Sequence, residues 1–350
     1  MSDSLAYKTI LVTGGAGYIG SHVAKKLLEN TQHEVIIIDN LSTGSYHAIE
    51  TLSSIRQFKF FQNDLCDFNQ IEYILGYYQI DVIMHFAASI VVPESIENPL
   101  KYYLNNTANT TNLFNSAVSH GVNRFIFSST AAVYGAPEEI PSTGVSEQFA
   151  ENPINPYGWS KLMSERVLRD VGQAYKHIKY VILRYFNVAG ADIFYEDNIL
   201  TPRMGQAFPN ATHLVKVASE CAVGKRNQMA IFGEDYKTAD GTCVRDYIHV
   251  DDLAQAHIQA IDYLQNNASN VFNVGYGRGY SVREVIQTMK RVTGVDFKVD
   301  KQVRRPGDPP ILISNSEKIK NKMQWEPKYN DLALICDSAY KWEIRCKQDN

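Results

Sequence analysis

Residues 155–165, NPYGWSKLMSE, place a tyrosine, Tyr157, four residues before a lysine, Lys161. In a helix, side chains four residues apart lie on one face, so we expect the ammonium close to the phenol. A nearby cation lowers the pKa of a tyrosine from about 10 toward neutrality, which suits a general base at pH 7. The same pair also occurs by chance on surface helices, so the rest of the chain must decide between these interpretations.

The neighbouring residues predict the helix that this pairing requires. Pro156 suits the first turn of a helix, where the missing N–H of proline costs no hydrogen bond. The following residues, YGWSKLMSERVLRDV, contain few helix breakers and repeat apolar residues at helical spacing. A helix is therefore predicted to begin at Pro156.

A second candidate site is the glycine-rich segment TGGAGYIG, residues 13–20. Gly14, Gly17 and Gly20 fall between an apolar strand and a helical pattern. Backbone N–H groups and a helix N-terminus can hold a pyrophosphate there, and glycine permits the tight turn and the close approach of the phosphate. We therefore expect a dinucleotide site; the alternative is a glycine-rich turn without a ligand.

Two carboxylates indicate which dinucleotide is bound. Asp39 ends the apolar run EVIIIDN, nineteen residues after Gly20. A carboxylate there accepts hydrogen bonds from the adenosine ribose and repels a 2′-phosphate, which favours NAD over NADP. Asp64, after the next strand, suits the adenine edge, and it could also be a helix N-cap.

Apolar runs alternate with helix-length segments over the first half of the chain. The strand-like runs are TILVTG, EVIIIDN, FKFFQNDL, DVIMHFAA, RFIFSS and YVILRYFN. Continuous apolar strands separated by helices predict a doubly wound, parallel α/β (Rossmann) sheet. After Asn187 the rhythm becomes irregular. We expect a first domain of residues 1–187, to which 240–275 returns, and a smaller mixed C-terminal domain of residues 188–239 and 276–346.

The strand RFIFSST brings hydroxyl groups to the predicted ligand edge of the sheet. Ser128, Ser129 and Thr130 lie at its carboxyl end, where open α/β sheets bind ligands. With Tyr157 and Lys161 on the next helix and a dinucleotide nearby, these groups suffice for proton and hydride transfer.

Composition excludes several other classes of protein. The 350 residues carry a net charge of −4 without a basic run, so nucleic-acid binding is not expected. The five cysteines and nine histidines have no metal-ligand spacing, so we expect no metal site. No apolar run is long enough to span a membrane, and MSDSLAYK leads into the first strand without a signal peptide. We expect a cytoplasmic protein.

Taken together, these motifs resemble the extended short-chain dehydrogenase/reductase family. Its marks are TGGAGYIG, the FAA of HFAAS, SSTAAVYG and YGWSK. Three further segments resemble the family's nucleotide-sugar epimerases: RYFNVAG, AIFGEDYKTADGTCVRDYIHVDDLAQAH and RRPGD. The resemblance implies NAD as cofactor and interconversion of UDP-glucose and UDP-galactose at C4 through a 4-keto sugar, with UDP-GlcNAc and UDP-GalNAc as a further pair.

The resemblance also implies roles for individual residues. Tyr157 is the acid/base, Lys161 its electrostatic partner and ribose anchor, and Thr130 a second hydroxyl. The positions implied to contact NAD are Gly14, Gly17, Tyr18, Ile19, Gly20, Asp39, Asn40, Asp64, Leu65, Phe86, Ala87, Asn105, Lys161 and Tyr185. Those implied to contact the UDP-sugar substrate are Thr130, Tyr157, Asn187, His213, Leu214, Phe232, Arg245, Tyr247, Arg305, Asp308 and Leu312.

Residue chemistry agrees with the implied substrate positions. Arg245 and Arg305 could hold a diphosphate with their guanidinium forks, and Phe232 could stack against uracil. Leu312 is smaller than the tyrosine of hexose-restricted members, so partial acceptance of an N-acetyl group is expected. Two positions depart from some members: Ile90 replaces a lysine near the cofactor, and His213 replaces an asparagine.

Two alternative activities conflict with the residues present, and two do not. A 4,6-dehydratase needs an acidic pair after the strand hydroxyl, where this chain has Ala131 and Ala132. A UDP-pentose 4-epimerase and a UDP-glucuronate decarboxylase remain open. A catalytically silent NAD-binding regulator is disfavoured by the intact Thr130, Tyr157 and Lys161. In relatives, segments equivalent to 98–120 and 157–175 pair across a two-fold axis, which implies a homodimer.

Overall fold

A computed structural model of the protein describes residues 8–208, 211–305 and 308–348. Most of the predicted N-terminal lead-in, residues 1–7, and the centre of the RRPGD motif, residues 306–307, lie outside the described residues. Within the described part of the chain, no helix is long and apolar enough to cross a membrane. The cytoplasmic location stays a prediction.

The described residues form two compact units. The first contains the chain up to Thr130 together with Asn155–Leu183 and Ala254–Val271. The second contains Ala131–Ile154, Arg184–Leu253 and the chain from Phe272 onward. Assigning one part to NAD and the other to a nucleotide sugar stays a proposal.

Strands and helices alternate along the chain. The strands are β1 Thr9–Thr13, β2 Glu34–Asp39, β3 Lys59–Gln62, β4 Val82–His85, β5 Arg124–Thr130, β6 Lys179–Tyr185, β7 Asn187–Ala189, β8 Tyr195–Glu196, β9 Ile199–Leu200, β10 Gln228–Phe232, β11 Val244–His249, β12 Asn270–Val274, β13 Gly279–Ser281, β14 Lys298–Gln302 and β15 Ile311–Leu312. The α-helices are α1 Tyr18–Asn30, α2 Tyr46–Ile55, α3 Phe68–Tyr77, α4 Val92–Glu97, α5 Pro99–Tyr102, α6 Asn109–Ser119, α7 Pro156–Ala174, α8 Leu214–Ala222, α9 Val250–Asn266, α10 Val282–Thr293, α11 Glu317–Met323 and α12 Leu332–Gln348. A π-helical segment, Tyr103–Ala108, joins α5 to α6, and a 3₁₀ turn, Ala131–Tyr134, follows β5.

The main sheet has seven strands in the order β12-β6-β5-β4-β1-β2-β3. The pairs of β1 with β2 and β4, of β2 with β3, and of β4 with β5 are parallel. The chain winds outward from β1 in one direction and from β4 in the other. The carboxyl ends of β1 and β4 therefore border the point where open α/β sheets bind ligands. The predicted doubly wound α/β fold is confirmed.

Apolar side chains fix the positions of these strand ends. Leu11, Ile36, Ile83 and Phe127 project from four adjacent strands into one core and are at most 1% exposed. Leu168 of α7 packs into the same core. Burying a side chain of this size contributes about 1.5–3 kcal/mol, so the sheet and the α7 helix form a rigid support.

The second unit contains smaller sheets around β11. This strand pairs with β13, β15 and β7, while β10 pairs with β14 and β8 with β9. Helix α10 begins with a capping box, in which Ser281 and Glu284 satisfy each other's backbone N–H groups. Because β11 lies in the middle of its sheet, its side chains hold fixed positions.

Candidate active site

Helix α7 begins where the sequence predicted. The Asn155 side chain accepts a hydrogen bond from the Gly158 N–H at 2.9 Å, and Pro156 occupies the first turn. Asparagine and proline are favourable at these two positions. The cap places Tyr157 in the first turn and Lys161 in the second.

Tyr157 lies against the carboxyl end of β5. The hydroxyl of Thr130, the last residue of β5, forms a hydrogen bond with the Tyr157 hydroxyl. The Tyr157 ring packs edge-on against Tyr102, with 6.4 Å between ring centroids. Burial raises the pKa of Tyr157, and the Thr130 hydrogen bond opposes that rise. The direction is opposite to the one expected from the sequence, because burial outweighs every favourable contact.

Lys161 is buried rather than exposed beside the phenol. Its side chain is 3% exposed, and the ammonium lies 4.7 Å from the centroid of the Phe127 ring. Burial lowers the pKa of Lys161 to about 7, and the carboxylate of Glu165 opposes this shift. Lys161 is not among the groups that shift the pKa of Tyr157. The spacing therefore predicted the helix correctly and the electrostatics of the free protein wrongly.

The glycine turn after β1 has no room for side chains at two positions. Gly14 has a φ of +72°, and a Cβ there would lie 2.6 Å from the backbone N of Ala87. A Cβ on Gly20 would lie 2.1 Å from the Gly14 carbonyl oxygen. Among the described residues, no side chain caps the N-terminus of α1, which Gly17 precedes. Close backbone approach at a helix N-terminus fits a pyrophosphate.

Asp39 lies at the end of β2, next to this turn. It is 7% exposed, and its two oxygens accept hydrogen bonds from Ala16 N–H at 2.9 Å and Leu41 N–H at 2.7 Å. Burial raises the pKa of Asp39, while these backbone groups lower it. Each carboxylate oxygen can accept a second bond, so Asp39 fits the predicted contact with ribose hydroxyls.

Asp64 is held by the residue that follows Asp39. The amide of Asn40 donates to Asp64 at 2.5 Å, and the Cys66 N–H donates at 2.9 Å. Burial raises the pKa of Asp64, but these hydrogen bonds outweigh it and lower the pKa overall. The N-cap of α3 is Asp67, which accepts from the Gln70 N–H. The alternative prediction of Asp64 as a helix cap is therefore wrong.

Other residues predicted to contact NAD follow strands of the main sheet or lie in helical segments. Phe86 and Ala87 follow β4, and Phe86 packs on the His257 ring, with 4.8 Å between the ring centroids. Asn105 lies in the π-helical segment and donates to Ser89 Oγ at 3.1 Å. The remaining positions have these places: Tyr18 and Ile19 begin α1, Leu65 follows Asp64 and is buried, Ile90 lies in the segment before α4, and Tyr185 ends β6.

In the second unit, four residues predicted to contact the substrate line one cleft. The cleft is small and is lined by Asn187, His213, Leu214 and Tyr247. Gln206 also lines it and was missed from the sequence. The Gln206 amide nitrogen is 2.8 Å from His213 Nδ1. Burial lowers the pKa of His213, which keeps the imidazole neutral at physiological pH.

The remaining predicted substrate residues form two further contacts in the second unit. The Arg305 guanidinium lies 3.8 Å from the Phe232 ring centroid, so it covers one face of that ring. Arg245 and Asp308 form an ion pair at 3.5 Å. Leu312 is 8% exposed and pairs with Arg245 in the parallel register of β11 and β15. Leu312 does not line the cleft described above.

Asp246 holds the strand that carries Arg245 and Tyr247, and sequence reasoning missed it. It is fully buried and accepts hydrogen bonds from the N–H groups of Tyr276 and Gly277, both at 2.9 Å. Side chains alternate along a strand, so Asp246 points away from the face of its two neighbours. That alternation in VRDYIH was the available signal.

The fold and the glycine turn of this chain are those of the dinucleotide-binding α/β proteins. The chain belongs to the NAD dependent epimerase/dehydratase family, whose model matches residues 10–275. The predicted membership of the extended short-chain dehydrogenase/reductases and the predicted cofactor, NAD, are confirmed.

Several relatives are similar to this chain over nearly their whole length. The UDP-glucose 4-epimerase of Azospirillum brasilense is 46% identical over 350 residues, covering 99% of this chain and 96% of the relative. The structure of the UDP-Glc/GlcNAc 4-epimerase from Campylobacter jejuni is 57% identical with a TM-score of 0.83, covering 97% of this chain and 100% of that chain. The UDP-glucose 4-epimerase of Bifidobacterium longum, in complex with NAD⁺ and UDP, is 35% identical with a TM-score of 0.90, covering 98% and 100%.

Proposed function

We propose that the protein interconverts UDP-glucose and UDP-galactose by inverting carbon 4, with NAD bound. The observation that carries this proposal is the hydrogen-bonded pair of Thr130 and Tyr157 at the carboxyl end of β5. It lies in the same compact unit as the glycine turn. The relatives named above act on the same class of substrate.

Epimerisation requires a proton to leave O4 and a hydride to leave C4, and both must return with the hydride on the opposite face. NAD, when bound, supplies the hydride acceptor and donor. Tyr157 takes the O4 proton, and the Thr130 hydroxyl stabilises the phenolate that does so. Burial raises the pKa of Tyr157 in the protein without ligands. The base therefore needs positive charge close to it in the loaded enzyme, and the proposed source of that charge is Lys161 on the same helix.

The nucleotide end of the substrate is assigned to the second unit. Arg245 and Arg305 bind the diphosphate, Asp308 the ribose hydroxyls, and Phe232 the uracil ring. Asn187, His213, Leu214 and Tyr247 line the cleft proposed for the rest of the substrate. Arginine is suited to phosphate because its planar fork donates two parallel hydrogen bonds.

Product analysis tests this proposal. The purified, NAD-loaded protein is incubated separately with UDP-galactose, UDP-N-acetylgalactosamine, UDP-xylose and UDP-glucuronate, and the products are resolved by chromatography. We expect UDP-glucose from UDP-galactose. Conversion of UDP-xylose alone would indicate a pentose epimerase, and carbon dioxide from UDP-glucuronate would indicate a decarboxylase. No conversion with NAD still bound would favour a binding protein without catalytic activity.

A homodimer is proposed on separate grounds. Leu100 and Leu104 are 71% and 64% exposed on one segment of the first unit, and Met163 is 42% exposed on α7. A second copy of the chain would bury these apolar side chains. Light scattering at micromolar concentration should give twice the chain mass, and Leu104→Glu should halve it. A wild-type mass equal to one chain would contradict the proposal.

A further inference from the structure

Helix α7 carries a row of functional groups that continues beyond the predicted pair. Tyr157, Lys161, Glu165 and Arg169 follow one another at intervals of four residues, so they lie along one face of the helix. Glu165 is fully buried and Lys161 nearly so. Two opposite charges buried one helical turn apart need an explanation, since burying either alone is costly.

The Glu165 carboxylate is fixed by partners on both sides. Ser129, the residue before Thr130 in β5, donates its hydroxyl to Glu165 Oε1. Arg169 donates to Oε2 at 2.9 Å. The carboxylate therefore joins α7 to the strand that carries the Thr130 hydroxyl.

The Glu165 carboxylate, one helical turn from Lys161, opposes the burial that lowers the pKa of this lysine. The groups that bear on it from neighbouring strands are the Phe127 ring of β5 and His85 of β4. His85 is buried and neutral, with its pKa lowered to about 3 by burial and by Lys161. Tyr180 of β6 interacts with both Glu165 and Arg169 and brings no negative charge near neutral pH. Within the described residues, Glu165 is the one charged group found to raise the pKa of Lys161.

We propose that Glu165 is a positioning residue whose carboxylate, held by Ser129 and Arg169, keeps the Lys161 ammonium charged between α7 and the sheet. The proposal rests on the proposed function, in which the charge of Lys161 assists Tyr157. Glu165 itself touches no substrate or cofactor atom in this mechanism.

The test compares pH–rate profiles of the NAD-loaded protein with UDP-galactose. Glu165→Gln keeps the shape and the contact with Ser129 but removes the charge. Lys161 should then lose its proton at lower pH, so the alkaline limb of kcat should move down by about one pH unit, a tenfold loss above that limb. The KM should change less than threefold. Asp170→Asn removes the same charge from an exposed position of α7, where the side chain is 53% exposed, and should leave the limb in place.

A second variant should shift the pKa of Lys161 in the opposite direction. Arg169→Gln removes the cation that partly neutralises Glu165. The carboxylate should then raise the pKa of Lys161 further, and the alkaline limb of kcat should move to higher pH. The Cε resonance of Lys161 in ¹³C-lysine-labelled protein, identified with Lys161→Met, should titrate with the same shifts. Because this resonance needs no turnover, it tests the inference even if wild type converts none of the sugars. An unchanged Lys161 titration in folded Glu165→Gln, or a downward shift in Arg169→Gln, would overturn the proposal.

Discussion

Replacing Gly14 by alanine tests whether the turn after β1 holds the dinucleotide. At a φ of +72°, alanine costs about 1–2 kcal/mol, because the left-handed backbone brings Cβ close to the next carbonyl. The new methyl would also lie 2.6 Å from Ala87 N and 2.9 Å from Ala87 Cα. Optimal separation of such atoms is about 3.5–4.0 Å, so the segment after β4 must move by about 1 Å.

Gly121 supplies the matched control for that substitution. Its φ is +78°, and a Cβ there meets no atom of the described ranges within 4 Å. Gly121→Ala therefore carries the backbone cost of about 1–2 kcal/mol without the clash. The difference between the two variants isolates the displacement of Phe86 and Ala87, both proposed to contact NAD.

The assay measures NAD affinity of the nucleotide-free protein by titration, together with thermal unfolding. Gly14→Ala should weaken NAD binding at least tenfold, which corresponds to about 1.4 kcal/mol. Gly121→Ala should lower the unfolding temperature and bind NAD as wild type does. Equal NAD affinities for the two variants, with both folded, would refute the assignment of this turn to the cofactor.

Three further predictions concern the proposed reaction. Tyr157→Phe should reduce epimerisation by ~10²–10⁴-fold while NAD stays bound, measured by turnover and by NAD released on denaturation. Gln206→Glu should raise the pKa of His213, because a carboxylate favours the imidazolium, and should make the KM depend on pH between 6 and 8. Leu312→Tyr should lower kcat/KM for UDP-N-acetylgalactosamine much more than for UDP-galactose, since added bulk excludes the larger substituent; equal losses would rule out a gating role.

The main sheet was predictable because its central strands are buried on both faces. Ile10, Leu11 and Val12 of β1 are completely buried, so the apolar run in the sequence reflects the packing directly. The pairing of β10 with β14 was not predictable in the same way. Strand β14, KVDKQ, is mostly polar, and its register with β10 joins residues about seventy positions apart. Edge strands of this kind depend on long-range contacts rather than on a local pattern.

In the candidate site too, the features set by local sequence were predictable, and those set by the folded chain were not. The cap formed by Asn155 and Pro156 is local, and so the start of α7 was predicted correctly. The pKa of Tyr157 depends on how much water reaches its hydroxyl, which is a property of the folded chain. The spacing to Lys161 could not reveal that burial raises the pKa of Tyr157 and lowers the pKa of Lys161.

Two of the residues that the sequence did not identify are buried carboxylates with distant partners. Glu165 meets Ser129 across 36 positions, and Asp246 meets Ser314 across 68. A carboxylate in a helix usually faces water, and only a fully buried one must find hydrogen-bond donors in the protein. Each of these two has several donors, and each lies beside residues proposed to act on substrate. A buried acid flanked by functional residues is therefore better interpreted as the support that fixes them than as a further reacting group.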